Sequence, residues 1–189
     1  MELSLAEPAY KSLRHANITD PTGAVWYTAH AENLIISPQY KESLLDRFGG
    51  RIAFLHDKFG SMHGAVVIKM ANGFEYSLES YAWNPERTLA DRIRSTAWST
   101  QYRFKGLDWS IARPERNKRA VEILDEAGAP VASISRVYQP GERLRDAVLV
   151  HTVLIFNDGW ADMATATLLA FRHKWNDETS PSSSDVIPS

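Results

Sequence analysis

From residue 24 onward the chain reads as short runs of alternating apolar and polar positions, cut by Gly, Pro, Asn and Asp. Ala24 to Ala29, with Val25, Trp26, Tyr27 and Thr28, opens the series. Arg51 to Phe59 follows, and then Ala65 to Ala71 and Phe74 to Tyr81 on either side of Asn72-Gly73. Asn-Gly between two such runs predicts a tight hairpin, because both residues accept the positive φ of a type I′ turn. Phe74, Tyr76 and Leu78 alternate with Glu75, Ser77 and Glu79, the period of a strand with one buried face. Ile93 to Phe104 and Leu107 to Ala112 flank Lys105-Gly106, and Val121 to Leu124 and Pro130 to Tyr138 flank Asp125 to Gly128. Strands this short, with turns at this spacing, predict a barrel or a sandwich. Leu34 to Ser37 reads as a short strand, and Lys41 to Phe48 as one or two helical turns before Gly49-Gly50.

The pattern changes after Pro140-Gly141. Within 147–156 only His151 and Thr152 are polar. A helix apolar on all sides is a buried one, and this block predicts such a helix over 146–158. A long buried strand is the alternative, since Val and Ile also favour strands. The block is shorter than the roughly 20 residues a membrane span requires. In a second apolar stretch, Met163 to Phe171, Thr165 and Thr167 leave helix and strand both open. Residues 1–23, punctuated by Pro8, Pro21 and Gly23, read as an irregular lead, and 24–175 as one β-rich domain. The stretch 176–189, with five Ser and two Pro, reads as a disordered tail. The expected fold class is mainly β (β+α): an antiparallel barrel around, or packed on, a hydrophobic C-terminal helix.

Composition narrows the function classes. A chain of 189 residues suits one domain. Aromatic residues make up 11%, with six Trp, which suits sheets and ligand pockets. The net charge of −2 gives no pointer to nucleic acid. Without Cys there is no disulfide framework, thiolate zinc site or Cys nucleophile. Met1 to Asp20 holds no apolar h-region, so the expected compartment is the cytoplasm.

No phosphate-loop, H-E-x-x-H or G-x-S-x-G pattern occurs. Candidate acid–base groups are His56, Asp57, His63 and His151. His56 and Asp57 are strand neighbours and point to opposite faces, so each would need a partner across the sheet, such as His63 or His30. His151 lies inside the apolar block and needs a partner there, most simply a backbone carbonyl. Trp98, Tyr102 and Phe104 share one strand face and, with Trp109, could line a barrel interior, filled or hollow. Arg113, Arg116, Lys118 and Arg119 place four positive charges in seven residues, a loop that could meet lipid phosphates or stay solvated. Asp158 and Asp162 stand four apart, but Gly159 interrupts them and Asp158 suits a helix cap. No metal or cofactor is expected.

The sequence Tyr102-Arg103-Phe104-Lys105-Gly106-Leu107-Asp108-Trp109-Ser110 is an aromatic strand, a Gly turn and a Trp strand. It is followed by the hairpin Val121 to Ser133 and by the apolar run Asp146 to Asp158. With Trp26-Tyr27-Thr28 ahead of them, these features resemble, over residues 24–160, the tubby C-terminal-like proteins. That group includes the LURP-one, scramblase-like and small fungal members. The resemblance implies a closed antiparallel barrel around a hydrophobic helix, and a lipid- or ligand-binding module with no defined catalysis. The family often places one more strand before its helix than is expected here, and the stretch 163–171 is extra. Three functions stay open: a binding module touching lipid, such as an anionic membrane surface, or a protein partner; a small β-barrel isomerase or cyclase acting on an apolar small molecule; or a structural or interaction domain with no small ligand. The sequence leaves the oligomeric state open.

Overall fold

The alternating runs become twelve antiparallel strands among the residues that the computed structural model describes: 1–9, 14–32, 40–58, 64–82, 100–112, 119–143 and 146–179. The strands are β1 (Glu2–Pro8), β2 (His15–Thr19), β3 (Val25–Ala31), β4 (Lys41–Asp46), β5 (Arg51–Asp57) and β6 (Ala65–Met70). They continue with β7 (Glu75–Ala82), β8 (Thr100–Lys105), β9 (Ser110–Ala112), β10 (Ala120–Leu124), β11 (Pro130–Gln139) and β12 (Val148–Ile155). One helix, α1 (Ala161–Thr179), follows a short 3-10 turn, Asp158–Trp160. The sheet order is β8-β7-β6-β5-β4-β3-β2-β1-β12-β11-β10-β9, and β8 lies against β9, so the sheet curls into a nearly closed barrel.

Inside that barrel runs α1. It touches β5, β6 and β7 on one side and β11 and β12 on the other. Every residue from Ala164 to Arg172 is buried. Ala164, Ala166 and Ala170 keep the helix slender, and Ala is the best helix former. Leu168, Leu169 and Phe171 fill the space left to the strands, with Phe171 edge-on to Tyr102 at 5.1 Å between ring centroids. Inward side chains from the strands complete the core: Leu3, Leu5, Ile18, Leu44, Leu55, Ile68, Tyr76, Leu78, Ile123, Ile134, Val153 and Ile155.

Several sequence expectations change. The apolar block 146–158 is β12, and the helix is the second stretch. β12 misleads because both of its faces are apolar: His151, Val153 and Ile155 point inward, while Val148, Val150 and Leu154 lie on the outer face. Such a strand loses the period of two. β12 adds a strand between the β10–β11 hairpin and the helix. Residues 2–8 and 15–19, expected as an irregular lead, are β1 and β2; Leu3 and Leu5 alternating with Glu2 and Ser4 carried that signal. Residues 41–46 are a strand rather than helical turns, because Glu42 faces inward and breaks the alternation. Of the expected disordered tail 176–189, residues 176–179 continue the helix to Thr179; the rest, and residues 34–37, lie outside the described residues.

The Asn72-Gly73 hairpin forms with a different turn. Among the described residues no non-Gly residue has positive φ, so Asn72 does not take the conformation of a type I′ turn; in this turn only Gly73 has positive φ, at 87°. The Gly73 N–H reaches the Met70 carbonyl at 3.0 Å and the Met70 N–H the Phe74 carbonyl at 2.8 Å, a type I turn closed by a left-handed Gly. The same pairing recurs at Asp20–Gly23, Asp46–Gly49 and Asp125–Gly128. There an Asp leads the turn, and its Oδ1 accepts one or two of the turn's backbone N–H groups: Thr22 and Ala24, Phe48 and Gly50, and Ala129. The repeat is D-x-x-G.

Because the strands simply alternate in direction, these tight turns share one end of the barrel with the start of α1. The connections β1–β2, β3–β4, β5–β6, β7–β8, β9–β10 and β11–β12 share the other end with the C-terminus of α1. Phe171→Ala is expected to lower unfolding free energy by about 3–5 kcal/mol in urea titrations, the cost of emptying a large core site. A loss under about 1 kcal/mol would mean that the helix does not fill the barrel.

Candidate functional site

The interior is stratified along its axis. Toward the tight turns its polar groups are mainly hydroxyls, those of Tyr27, Tyr76, Thr165 and Thr167: Tyr27 donates to Asp162 at 2.7 Å, Tyr76 donates to the Met163 carbonyl at 3.1 Å, and Thr167 Oγ1 lies 3.0 Å from Tyr76 Oη. Toward the other end it is charged. Arg172, His173 and Lys174 on α1 meet Glu7 of β1, Glu42 of β4, Asp57 of β5, Arg136 of β11 and His151 of β12. Alternation sends Glu7 inward after Leu3 and Leu5, and Glu42 inward ahead of Leu44.

Arg172 is the centre of this layer. Its Nη1 donates to Glu42 Oε1 at 2.9 Å, and its Nε stands 3.2 Å from Glu7 Oε2. Burial alone would weaken the guanidinium's hold on its proton, but the carboxylates of Glu42 and Glu7 outweigh it and raise the pKa above the ordinary value. Glu42 Oε2 accepts from Tyr40 Oη at 2.5 Å, and Glu7 Oε1 accepts from His151 Nε2 at 3.1 Å. Burial, reinforced by the charge of Glu42, pushes the Tyr40 hydroxyl well above its usual pKa. A continuous chain thus runs Tyr40–Glu42–Arg172–Glu7–His151 across β4, α1, β1 and β12.

His151 is fully buried. Burial lowers its pKa and overrides the opposing pull of Glu7, so the ring is neutral near pH 7. With Nε2–H spent on Glu7, Nδ1 is a bare lone pair that finds no donor among the described residues. The expected backbone carbonyl is therefore replaced by a carboxylate. The neutral form leaves one acceptor unmet, which costs less than an unmet N–H or a charge.

A second cluster lies nearer solvent. His173 Nε2 donates to Asp57 Oδ1 at 3.1 Å, and its ring stacks flat on Tyr40 at 3.8 Å. The Tyr40 N–H donates to Asp57 Oδ2 at 3.2 Å, and Lys174 Nζ donates to the Gly64 carbonyl. Burial is the largest single influence on Asp57 and acts upward, but His173, the Tyr40 N–H and Lys174 together hold the carboxyl below its usual range.

Among the candidates, the structure brings Asp57 and His151 into the layer. Asp57 pairs with His173 and His151 with Glu7, and His30 meets neither. His56 faces outward, its Nδ1 3.1 Å from the Asp57 carbonyl, and His30 packs edge-on against His15. Tyr102 and Phe104 do point inward, but they meet Phe171, Tyr76 and Trp109 rather than open space. Trp109 packs on Trp160. Arg119 is exposed at the start of β10; His63, Trp98, Arg113, Arg116 and Lys118 lie outside the described residues. Asp158 begins the 3-10 turn, whose cap is Asn157, and Asp162 takes the Tyr27 hydroxyl. Among the described residues no group of three His, Asp or Glu side chains could hold a metal ion. Sequence reading missed Glu7, Glu42, Arg136, Arg172, His173 and Lys174. The available signal was Arg172-His173-Lys174 between Phe171 and Trp175: cations inside an apolar helix require buried carboxylates.

Arg172→Met is expected to destabilise by about 3–5 kcal/mol in urea, because two buried carboxylates lose their counter-ion. Near-neutral behaviour would show that the layer is hydrated and of little consequence. The sign for pH follows from His151. In the unfolded chain it takes up a proton near pH 6.5, and in the fold it resists, so stability falls as pH drops below about 6.5 by up to about 1.4 kcal/mol per pH unit. Asp57, held low, loses its contribution only below about pH 4. In His151→Gln, urea midpoints measured from pH 7 to 5 should flatten; an unchanged slope would assign the acid sensitivity to other groups.

No protein-family model matches this chain, and no curated protein matches its sequence. Its fold is similar to the X-ray structure of a protein from Arabidopsis thaliana, with a TM-score of 0.51 and 12% sequence identity, over 92% of this chain and 91% of that one. At that identity the likeness is one of fold alone.

Proposed function

We propose that this protein is a non-catalytic recognition module of the tubby-like type that meets an anionic membrane surface. The observation that carries the reading is that α1 occupies the barrel's bore. The isomerase or cyclase alternative requires an open aromatic-lined cavity, and the inward rings are instead spent on the helix. With the bore filled, recognition falls to the outer surface. The ion pairs of the charged layer then hold the helix in place rather than transform a substrate. The Arabidopsis structure, matched over nearly the whole chain, supports the fold half of this reading.

In the sequence the basic segment Arg113 to Arg119 falls between β9, which ends at Ala112, and β10, which begins at Ala120. Anionic headgroups attract such a segment by about 1 kcal/mol per base near the surface. No helix among the described residues is long and apolar enough to cross a membrane, so this attachment is peripheral in kind.

Flotation with phosphatidylserine-containing vesicles tests the reading. Binding is expected at 0.1 M salt and should weaken steeply as salt rises. The variant Arg116→Gln/Lys118→Gln/Arg119→Gln should lose about 100-fold in affinity, as three charges at that energy imply. Equal binding by variant and parent would end the basic-segment proposal.

A further inference from the structure

The tight-turn end of the barrel carries exposed aromatic side chains on three neighbouring hairpins. Trp26 and Val25 lie at the β2–β3 turn, Phe48 at the β4–β5 turn and Phe74 at the β6–β7 turn. Phe48 is 82% exposed at the third position of Asp46-Arg47-Phe48-Gly49, where nothing about the turn calls for a large ring. Phe156 and Trp160 extend the row past β12. All these tips project from one end of the barrel, so a flat surface can meet them together.

Three details fit that surface to a lipid interface. The first is backbone satisfaction. Asp20 Oδ1 accepts from the Thr22 and Ala24 N–H groups, Asp46 Oδ1 from Phe48 and Gly50, and Asn72 Oδ1 from Phe74. Each tip therefore brings acceptors for its own N–H groups, which removes the usual obstacle to taking a loop out of water. The second is charge. The three hairpin ends hold Asp20, Asp46 and Glu75 against Arg47, Arg51 and Lys69, an even balance that matches a zwitterionic surface rather than an anionic one. The third is placement of the cations. The Arg47 guanidinium lies over the Phe48 ring at 4.8 Å, and Arg51 and Lys69 line a hollow of about 260 Å³ beside the Phe74 turn. Cations set just behind apolar tips sit at headgroup depth when the tips enter the interface.

We propose that Trp26, Phe48 and Phe74 form a docking rim that inserts shallowly into the interfacial zone of a zwitterionic bilayer. The rim is at the opposite end of the barrel from Ala112 and Ala120, which flank the basic segment in the sequence. It stands whether or not that segment binds anionic lipid.

The test is flotation of the full chain with pure phosphatidylcholine vesicles at 0.1 and 0.5 M salt. Wild type should partition equally at both, since apolar insertion is not screened. Phe48→Ser should weaken partition about tenfold, a partial share of the transfer free energy of a Phe ring, and Phe48→Ser/Phe74→Ser further still. Both positions are exposed, and an unchanged urea midpoint would show that the fold is intact. Arg116→Gln/Lys118→Gln/Arg119→Gln should bind these vesicles as wild type does. A double serine variant that partitions like wild type would overturn the proposal, as would wild type that stays with the soluble fraction. Self-association lost in the double variant, with no vesicle binding by wild type, would assign the rim to a second copy of this chain and also overturn it.

Discussion

A guanidinium cannot sit inside a β-barrel unless carboxylates come in with it. Arg172, on the fourth turn of a helix buried from Ala164 to Arg172, obliges β1 to send Glu7 inward and β4 to send Glu42 inward. Those acids in turn fix their other oxygens on His151 and Tyr40. The register of four elements is thereby tied to one side chain. Replacing the set with apolar residues could give an equal or greater stability. What the ions add is uniqueness: a smooth apolar helix could rotate or slide within the barrel, whereas Arg172 pairs with Glu7 and Glu42 in only one setting.

The two ends of the barrel have different chemistry for the same reason. Three of the four short turns are closed by D-x-x-G units and the fourth by Met70-Ala71-Asn72-Gly73, each with Asx contacts, so that end spends little sequence on structure and can carry aromatic rings at its tips. The other end receives the charged layer and all the longer connections. An apolar bore near the tight turns and an ionic bore near the long connections give the helix a direction as well as a position.

Much of the fold was legible and much of the site was not. Period-two alternation survives over β7 and β10 because apolar inward positions alternate with polar outward ones, as Tyr76 and Leu78 against Ser77 and Glu79, and Val121 and Ile123 against Glu122, show. It fails where the structure places charge inside or oil outside. Glu42 disguised β4, and the doubly apolar face of β12 imitated a helix. The ionic layer was invisible for a different reason: Glu7, Glu42, Asp57, His151 and Arg172 are up to about 165 residues apart in the chain, and only the closed barrel makes them neighbours. One local clue existed, the cation run Arg172 to Lys174 within an otherwise apolar helix.

The pairing of β1 with β12 joins the first strand to the last, with Leu3 opposite Val153 and Leu5 opposite His151. Strands β1 to β8 form an unbroken run of neighbours, as do β9 to β12, and β1–β12 is the seam between the two runs. The seam pairs residues as distant in the chain as Leu3 and Val153, and contacts of such long range are slow to close. A nascent chain that has emerged as far as β11 still lacks both the seam and the helix, so its inward Leu, Ile and Tyr side chains have no core to enter. The helix that fills the barrel is the last of the described elements to be synthesised. Until it arrives, the chain presents an open, sticky sheet of just the sort that chaperones hold.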